Sequence, residues 1–310
     1  MVQKRRASKK KETAPRAGKA PPKRLAGIPF LKVHGLGNDF LIVDATKFDV
    51  PETGEFARKV CDRNFGVGAD GVLYFKASSK GDFTMRVLNS DGSEAEMCGN
   101  GIRCMARWAY ETGRAKATEM KVETLGGMRV CRLNLNKGGS VADVTVDMGA
   151  PKLSRGNLPM TGAGTYLGQM FELEPGKTVP ASAVSMGNPH FILFTEASVE
   201  KAKEHGPRLE RHPWFPRRTN VEFAEPVSGR EINLVVWERG AGLTLACGTG
   251  ACATAVAAAL GSYTEFDREV KVNLPGGSLF ITVPKDLSRV WMRGPATFVY
   301  AGQLDPKAFA

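Results

Sequence analysis

Cysteine is scarce in this chain, with six in 310 residues, and histidine scarcer, with four. Six thiols in a chain this long do not make a disulfide scaffold. No Cys-x-x-Cys occurs, so the usual zinc-ribbon and thioredoxin spacings are absent, and four scattered histidines form no metal-ligand cluster. No apolar stretch approaches the roughly 18 residues of a membrane span, and no secretory apolar region follows the basic start. No Walker motif is present, and no lysine stands in a context that singles out a pyridoxal Schiff base. The literal G-x-G-x-x-G match, Gly66–Gly71, follows a helical pattern and precedes a strand-like run. That is the reverse of the dinucleotide-binding order, so no nucleotide site is expected there.

Charge is abundant but badly distributed. The formal net charge is +11, yet residues 1–27 hold ten Lys or Arg and one acid, so +9 belongs to that segment and +2 to the rest. The segment has almost no large apolar residues and several prolines, the composition of a disordered extension. An organellar transit peptide fits poorly, because the run is Lys-rich and lacks an apolar helical stripe. A nucleic-acid arm is the third reading, since clustered cations attract phosphate without any fold. The body, 42% apolar over the whole chain, has enough for a real core. The expectation is a cytoplasmic enzyme without membrane contact, with nucleic acid approached only through the tail, and with a homodimer left open.

What is present is a repeat. Met97–Gly101 reads MCGNG and Ala246–Gly250 reads ACGTG. Residues 85–108 lie over 234–257 without a gap, which sets Cys98 on Cys247 and Asn89 on Glu238 at an offset of 149. The stretch GLGNDFLIV around Asn38 resembles SMGNPHFIL around Asn188, and VETLGGMRV resembles VNLPGGSLF, both at an offset of 150. Three landmarks in one order at one spacing indicate an internal duplication. Each half carries apolar runs of strand length, a short helix near 51–62 in the first half, and a glycine loop leading into a helix, near 101–112 and 250–260. The second of these is apolar on every side, as a fully buried helix is. The fold expected is α/β of the α+β type: two pseudo-symmetric domains, each an antiparallel sheet wrapped around a central helix, with the active site in the cleft between them. The expected division is a tail at 1–27, one domain at 28–147 to which 295–310 returns, and a second at 148–294.

Each Cys-Gly-x-Gly falls at a strand-to-helix turn, so each thiol is expected at a helix N-terminus. Unpaired N–H groups there carry partial positive charge, which lowers a thiol pKa and favours the thiolate. Glycines let a ligand approach those N–H groups closely, and such a site holds carboxylates. Two helices aimed at one cleft would set two thiols across one small anionic ligand. That suits removal of a proton from one face of a carbon and its return to the other, with no cofactor. Cys61, Cys104, Cys131 and Cys252 lack the glycine context and are expected to be inert core.

Taken together, HGLGNDF, RNFGVGADG, NSDGSEAEMCGNGIRC, SMGNPH, RTNVEF, ERGAGLTLACGTGAC, LPGG and GPA resemble the diaminopimelate epimerase family over nearly all of 30–302. The resemblance implies a cofactor-independent isomerase interconverting LL- and meso-diaminopimelate, in lysine and cell-wall precursor biosynthesis. It implies Cys98 and Cys247 as catalytic. It implies Asn38, Asn89, Gly99, Asn100, Asn188, Asn220, Glu238, Arg239, Gly248 and Thr249 around the substrate, with His190 supporting one thiol. A doubly zwitterionic substrate suits these types: Arg239 can grip a distal carboxylate bidentately, and Glu238 can pair with an ammonium. Alternative roles stay open for Asn38 and Asn188, which also suit turns, for His190, which also suits a core, and for His34, expected to order its glycine loop. The pattern departs from the family at Gly71, where some members carry glutamine, at Leu243, where glutamate is frequent, and at Thr249, where some carry serine. The nearest rival on this fold is a proline-type racemase, which tends to carry His where Asn100 stands; a thiol redox or metal-binding protein is the rival from another class.

Overall fold

A computed structural model describes residues 27–309; of the basic tail it includes only Gly27. The expectations for the rest of that tail therefore lie outside the described residues. Among those residues no helix is long and apolar enough to cross a membrane.

The first half opens with a hairpin of β1 (Ile28–Gly35) and β2 (Asn38–Asp44). Its two-residue turn places Leu36 at φ 57° and Gly37 at φ 86°, the pair of positive values that matches strand twist in a tight hairpin. A leucine pays for that conformation, and here it is pinned from outside. Leu36 is buried, and its backbone oxygen lies against Gly276 of the second half, where any side chain would collide with it. His34 Nδ1 accepts from the Gly37 amide at 3.2 Å, the loop-ordering role expected of it.

Helix α1 (Gly54–Cys61), β3 (Gly71–Lys76), β4 (Phe83–Asn89), β5 (Glu94–Ala95), α2 (Gly99–Glu111), β6 (Glu119–Thr124), β7 (Gly127–Leu135) and β8 (Val141–Asp147) follow. After β9 (Gln169–Glu174) the same series recurs. It comprises β10 (Lys177–Ser185), β11 (Pro189–Phe194), α3 (Val199–Glu210), β12 (Asn220–Ser228), β13 (Glu231–Glu238), β14 (Gly242–Leu243), α4 (Gly248–Leu260), β15 (Glu269–Leu274), β16 (Gly277–Thr282) and β17 (Trp291–Gly294), with β18 (Thr297–Leu304) closing the chain. The pairings repeat too. Strand β1 pairs β2 as β10 pairs β11, β3 pairs β4 as β12 pairs β13, and β6 pairs β7 as β15 pairs β16.

Most pairs are antiparallel, as expected. Four are parallel: β2 with β3, β4 with β6, β11 with β12, and β13 with β15. Each parallel pair is spanned by one of the four helices, because parallel neighbours require a crossover and a helix supplies it. The sheet is thus mixed, a refinement of the antiparallel expectation. Strands β8 and β17 pair antiparallel and join the two halves. The strand that follows each of them then leaves its own half: β9 pairs β10, and β18 pairs β1.

Helices α2 and α4 sit inside, and one apolar cluster runs through both. Ala251 to Ala259 are all buried; small alanines let strands close around the helix on every side. Helix α2 is buried from Gly99 to Ala106, reaches the surface at Glu111, and carries Arg103, fully buried.

Candidate active site

The two cysteines are built alike. Each ends an extended segment (Cys98 at φ −130°, ψ 112°; Cys247 at φ −121°, ψ 109°) and caps the helix that follows. Cys98 Sγ accepts the Gly101 amide at 3.4 Å, and Cys247 Sγ accepts the Gly250 amide at 3.4 Å. Sulfur takes the capping position usually held by Ser, Thr, Asp or Asn. Satisfying that amide lets both helices start at the first glycine, two residues earlier than the sequence pattern indicated.

The two caps meet on common neighbours. A β-carbon added at Gly99 would stand 2.8 Å from Met292 Cε, and one at Gly248 would stand 3.1 Å from Met292 Sδ. One methionine of β17 therefore floors both helix starts, and only glycine lets them approach it so closely. Asn100 spans the gap above. Its Nδ2 donates to Asn38 Oδ1 at 3.1 Å and reaches the Ala246 carbonyl at 3.4 Å, one residue before Cys247. Asn38 Oδ1 also accepts from Cys98 Sγ at 3.8 Å. One carboxamide thus touches the immediate surroundings of both thiols.

Asn38 is itself fixed. Its Nδ2 donates to Asp70 Oδ2 at 2.7 Å, and Asp70 is held by Arg63 at 2.8 Å. Lys32 and Asp39 complete this ionic cluster. On the opposite side, Cys247 Sγ lies 3.6 Å from Thr249 Oγ1. Thr249 Oγ1 accepts from Asn188 Nδ2 at 3.3 Å, Asn188 Oδ1 accepts from His190 Nε2 at 2.9 Å, and His190 Nδ1 meets Glu222 Oε1 at 2.6 Å. With Nε2–H pointing at Asn188, Nδ1 accepts from a protonated Glu222 or donates to its carboxylate.

Glu238 and Arg239 stand at the end of β13. Thr244 donates to Glu238 Oε1 at 2.6 Å. Asn220 Oδ1 accepts the Arg239 amide at 2.8 Å, while its Nδ2 donates to the Pro189 carbonyl at 3.0 Å. The Asn220 carboxamide therefore ties β12 to both neighbouring segments and shapes the Arg239 turn. Buried Glu210 supports the same turn, accepting from Trp237 Nε1 at 2.9 Å and the Gly240 amide at 3.0 Å. The Arg239 side chain is exposed, with its guanidinium 3.4 Å from the Arg217 carbonyl. Asn89 ends β4, donating to Ser93 Oγ at 3.0 Å; its backbone pairs Gly71, and the Asp70 carbonyl accepts the next amide.

A family model described as diaminopimelate epimerase matches residues 30–154 and 182–299. The chain belongs to the diaminopimelate epimerase family. The diaminopimelate epimerase of Heliobacterium modesticaldum is 48% identical over 286 residues, covering 89% of this chain and 99% of that one. That of Moorella thermoacetica is 50% identical over 276 residues, covering 88% and 98%. A crystal structure of a probable proline racemase from Agrobacterium radiobacter superposes with a TM-score of 0.67 at 14% identity, covering 91% of this chain and 96% of that one. At that identity the likeness is one of fold.

For a member of the diaminopimelate epimerase family the thiol electrostatics are a correction to the sequence reading. Helix N-termini were expected to favour both thiolates. Burial outweighs them, and both thiols are pushed up. For Cys98 the amides of Gly101 and Asn100 and the charge of Arg103 oppose desolvation. For Cys247, desolvation is reinforced by Glu238 and Glu222, and the Thr249 hydroxyl and Gly250 amide offset only part, so this thiol lies well above its ordinary value. Cys98 is half-buried and Cys247 buried. Cys98 thus has a buried guanidinium near it that favours ionisation, whereas Cys247 has two carboxylates that oppose it. The other four behave as core: burial pushes Cys61, Cys104 and Cys131 up to about 12 and Cys252 further. Three polar residues around the site escaped the sequence reading: Asp70, Glu222 and Arg103. Glu222 had a signal, a carboxylate inside the strand run Asn220–Ala224, in which every residue is buried.

Proposed function

We propose that this chain interconverts LL- and meso-diaminopimelate by proton transfer between two thiols and the α-carbon, in lysine and cell-wall precursor biosynthesis in the cytoplasm. The observation that carries the reading is that two cysteine-capped helices converge on Met292 and share the Asn100 bridge. One sulfur acts as thiolate and takes the α-proton; the C–H electron pair flows into the α-carboxylate. The other sulfur gives its proton to the opposite face and becomes the thiolate. The pair ends with its protonation exchanged and the stereocentre inverted.

The carboxylate that receives the electron pair would sit between the two helix starts, against the amides of Gly99, Asn100, Gly248 and Thr249. Fixed donors aimed at developing charge stabilise it without reorganisation. Desolvation then has a purpose. A buried thiolate is a stronger base than a solvated one, and a substrate ammonium entering the site lowers the cost of forming it. Glu238 and Arg239 would hold the distal ammonium and carboxylate, with Asn38, Asn89 and Asn188 lining the path between; Asn220 and His190 act by positioning Arg239 and Asn188. We further propose two domains, 28–147 with 295–310, and 148–294, joined where β8 pairs β17.

Incubation with LL-diaminopimelate in heavy water, with no cofactor added, tests the reading. The expected result is meso product carrying deuterium at one α-carbon, and no exchange into proline. Exchange into proline without exchange into diaminopimelate would assign the chain to proline-type racemases instead.

A further inference from the structure

Superposing the repeat on the structure exposes two buried positions where the halves disagree. Arg103 of α2 corresponds to Cys252 of α4, and Leu73 of β3 corresponds to Glu222 of β12, each at the offset of 149. The surroundings confirm the correspondence. A β-carbon at Gly101 would meet Leu73 Cδ2 at 3.0 Å, and one at Gly250 would meet Glu222 Oε1 at 2.9 Å. Beneath one thiol lies a cation and a leucine; beneath the other, a carboxylate and a neutral thiol.

Arg103 is unusual in its partners. It is fully buried, and its guanidinium donates to the Gly99 carbonyl at 3.1 Å, Asn100 Oδ1 at 2.9 Å and the Pro295 carbonyl at 3.1 Å, with Met292 Sδ at 3.8 Å. All of these are neutral. Among the described residues no carboxylate pairs with it, and the titratable groups that act on it most strongly are the thiols Cys98 and Cys104 of α2, Cys131 of β7 and Cys252 of α4. The space is made for it: a β-carbon at Gly35, ending β1, would stand 2.9 Å from Nη2, and one at Gly294, ending β17, 3.2 Å from Nε. An unpaired buried cation is costly, and arginine keeps its charge when buried. Such a group persists where its surroundings hold it for a task.

We propose that Arg103 is a positioning residue that divides the labour between the two thiols. Its fork fixes the Asn100 carboxamide so that Nδ2 faces Asn38 and Ala246, and its charge turns Cys98 toward the role of base while Cys247 keeps that of acid. Cys98 faces Arg103 from its own helix and Glu238 from β13; Cys247 faces Glu222 from β12, Glu238 from β13, and His190 of β11 through Asn188 and Thr249. The inference rests on the two-thiol reading above.

The test is alkylation of the intact chain by iodoacetamide across pH, read at each cysteine by peptide mass spectrometry, with no substrate present. Arg103→Met should slow Cys98 at pH 7 about tenfold, the equivalent of one pH unit in thiolate fraction, and leave Cys247 unchanged. Arg103→Gln, which removes the charge but keeps a hydrogen-bonding end, is the second variant and should show the same selective slowing. Arg103→Lys keeps the cation without the planar fork. It should preserve the Cys98 pH profile while losing turnover, because Asn100 is no longer held. A parental Cys98 rate in either uncharged variant, or equal slowing at both cysteines, overturns the proposal. Failure of the two-thiol reading looks different: turnover would persist without Cys98 or Cys247, whatever the alkylation profile.

Discussion

Gly101 and Gly250 occupy the same place in the two halves, and replacing each with alanine should not have the same effect. Both donate their amide to a capping thiol and both lie in the first turn of a buried helix. Alanine gains up to about 1 kcal/mol of helix propensity at either site. What differs is the neighbour. At Gly101 the new methyl meets Leu73 Cδ2 at 3.0 Å and Cys98 Cβ at 3.5 Å. Leu73 presents the end of a flexible side chain, which can turn away. At Gly250 it meets Glu222 Oε1 at 2.9 Å, Cys247 Sγ at 3.2 Å and Cys247 Cβ at 3.3 Å. Glu222 cannot yield easily, because it is fully buried and held by His190 at 2.6 Å. Overpacking of this kind costs about 1–3 kcal/mol, so Gly101→Ala should be near neutral in stability and Gly250→Ala lower by up to roughly 2 kcal/mol once propensity is subtracted. The remaining strain falls on Sγ of Cys247. A displacement approaching 1 Å at a reacting group costs on the order of 100-fold, so a shift of a few tenths should lower turnover about tenfold. Urea unfolding and the epimerisation rate of the two variants, measured side by side, decide it. Equal losses, or a larger loss in Gly101→Ala, would refute the packing argument.

Three further outcomes follow from the geometry. In the empty site, alkylation of Cys98 and Cys247 should climb steeply between pH 7 and 9 with Cys98 leading, because burial pushes both thiols up and Glu238 and Glu222 push Cys247 further; rates already flat at pH 7 would mean preformed thiolates. If Glu222 is ionised beside His190, Glu222→Gln removes a negative charge near Cys247, so Cys247 should alkylate faster at fixed pH while Cys98 stays put; an unchanged Cys247 rate would refute a charged Glu222 there. Asp44, buried and bonded to Thr46 and Arg114, is held below its ordinary value despite desolvation. Its contribution is complete above its unfolded value near 3.9 and is lost as pH falls through its lower folded value. Asp44→Asn should therefore cost about 1–3 kcal/mol at pH 7 and little in strong acid, as urea midpoints across pH would report.

Much of the site was legible because it is local. A Cys-Gly-x-Gly at a strand-to-helix turn announces a cap, and the gapless repeat from 85–108 to 234–257 announces two of them. Buried faces were legible for the same reason, as in the run Ala251–Leu260 of α4, where Thr254 alone carries a polar side-chain oxygen. The parallel pairs were not, because alternation within β2 or β3 says which face is covered but not which neighbour runs alongside; the crossover helices decide that. Helix α1 begins at Gly54 rather than near Pro51, because Thr53 accepts the Phe56 amide and sets the start there. Arg103 and Glu222 were silent as single letters, since a charged residue in a helix or strand is ordinarily read as exposed. The acidity of the thiols was beyond the sequence too. The helix termini lower it as expected, but the opposing term is burial, which only the enclosing sheet supplies.

Two-thiol epimerisation requires both sulfurs to act on one carbon. The direct measurement is epimerisation of diaminopimelate by purified Cys98→Ser and Cys247→Ser, each shown to fold. Serine is too weak an acid to supply the base, and loss of a positioned proton-transfer group costs about 10²–10⁴-fold. Each variant should lose at least that much turnover while still binding substrate. Turnover within a fewfold of the parent in either variant would contradict the account.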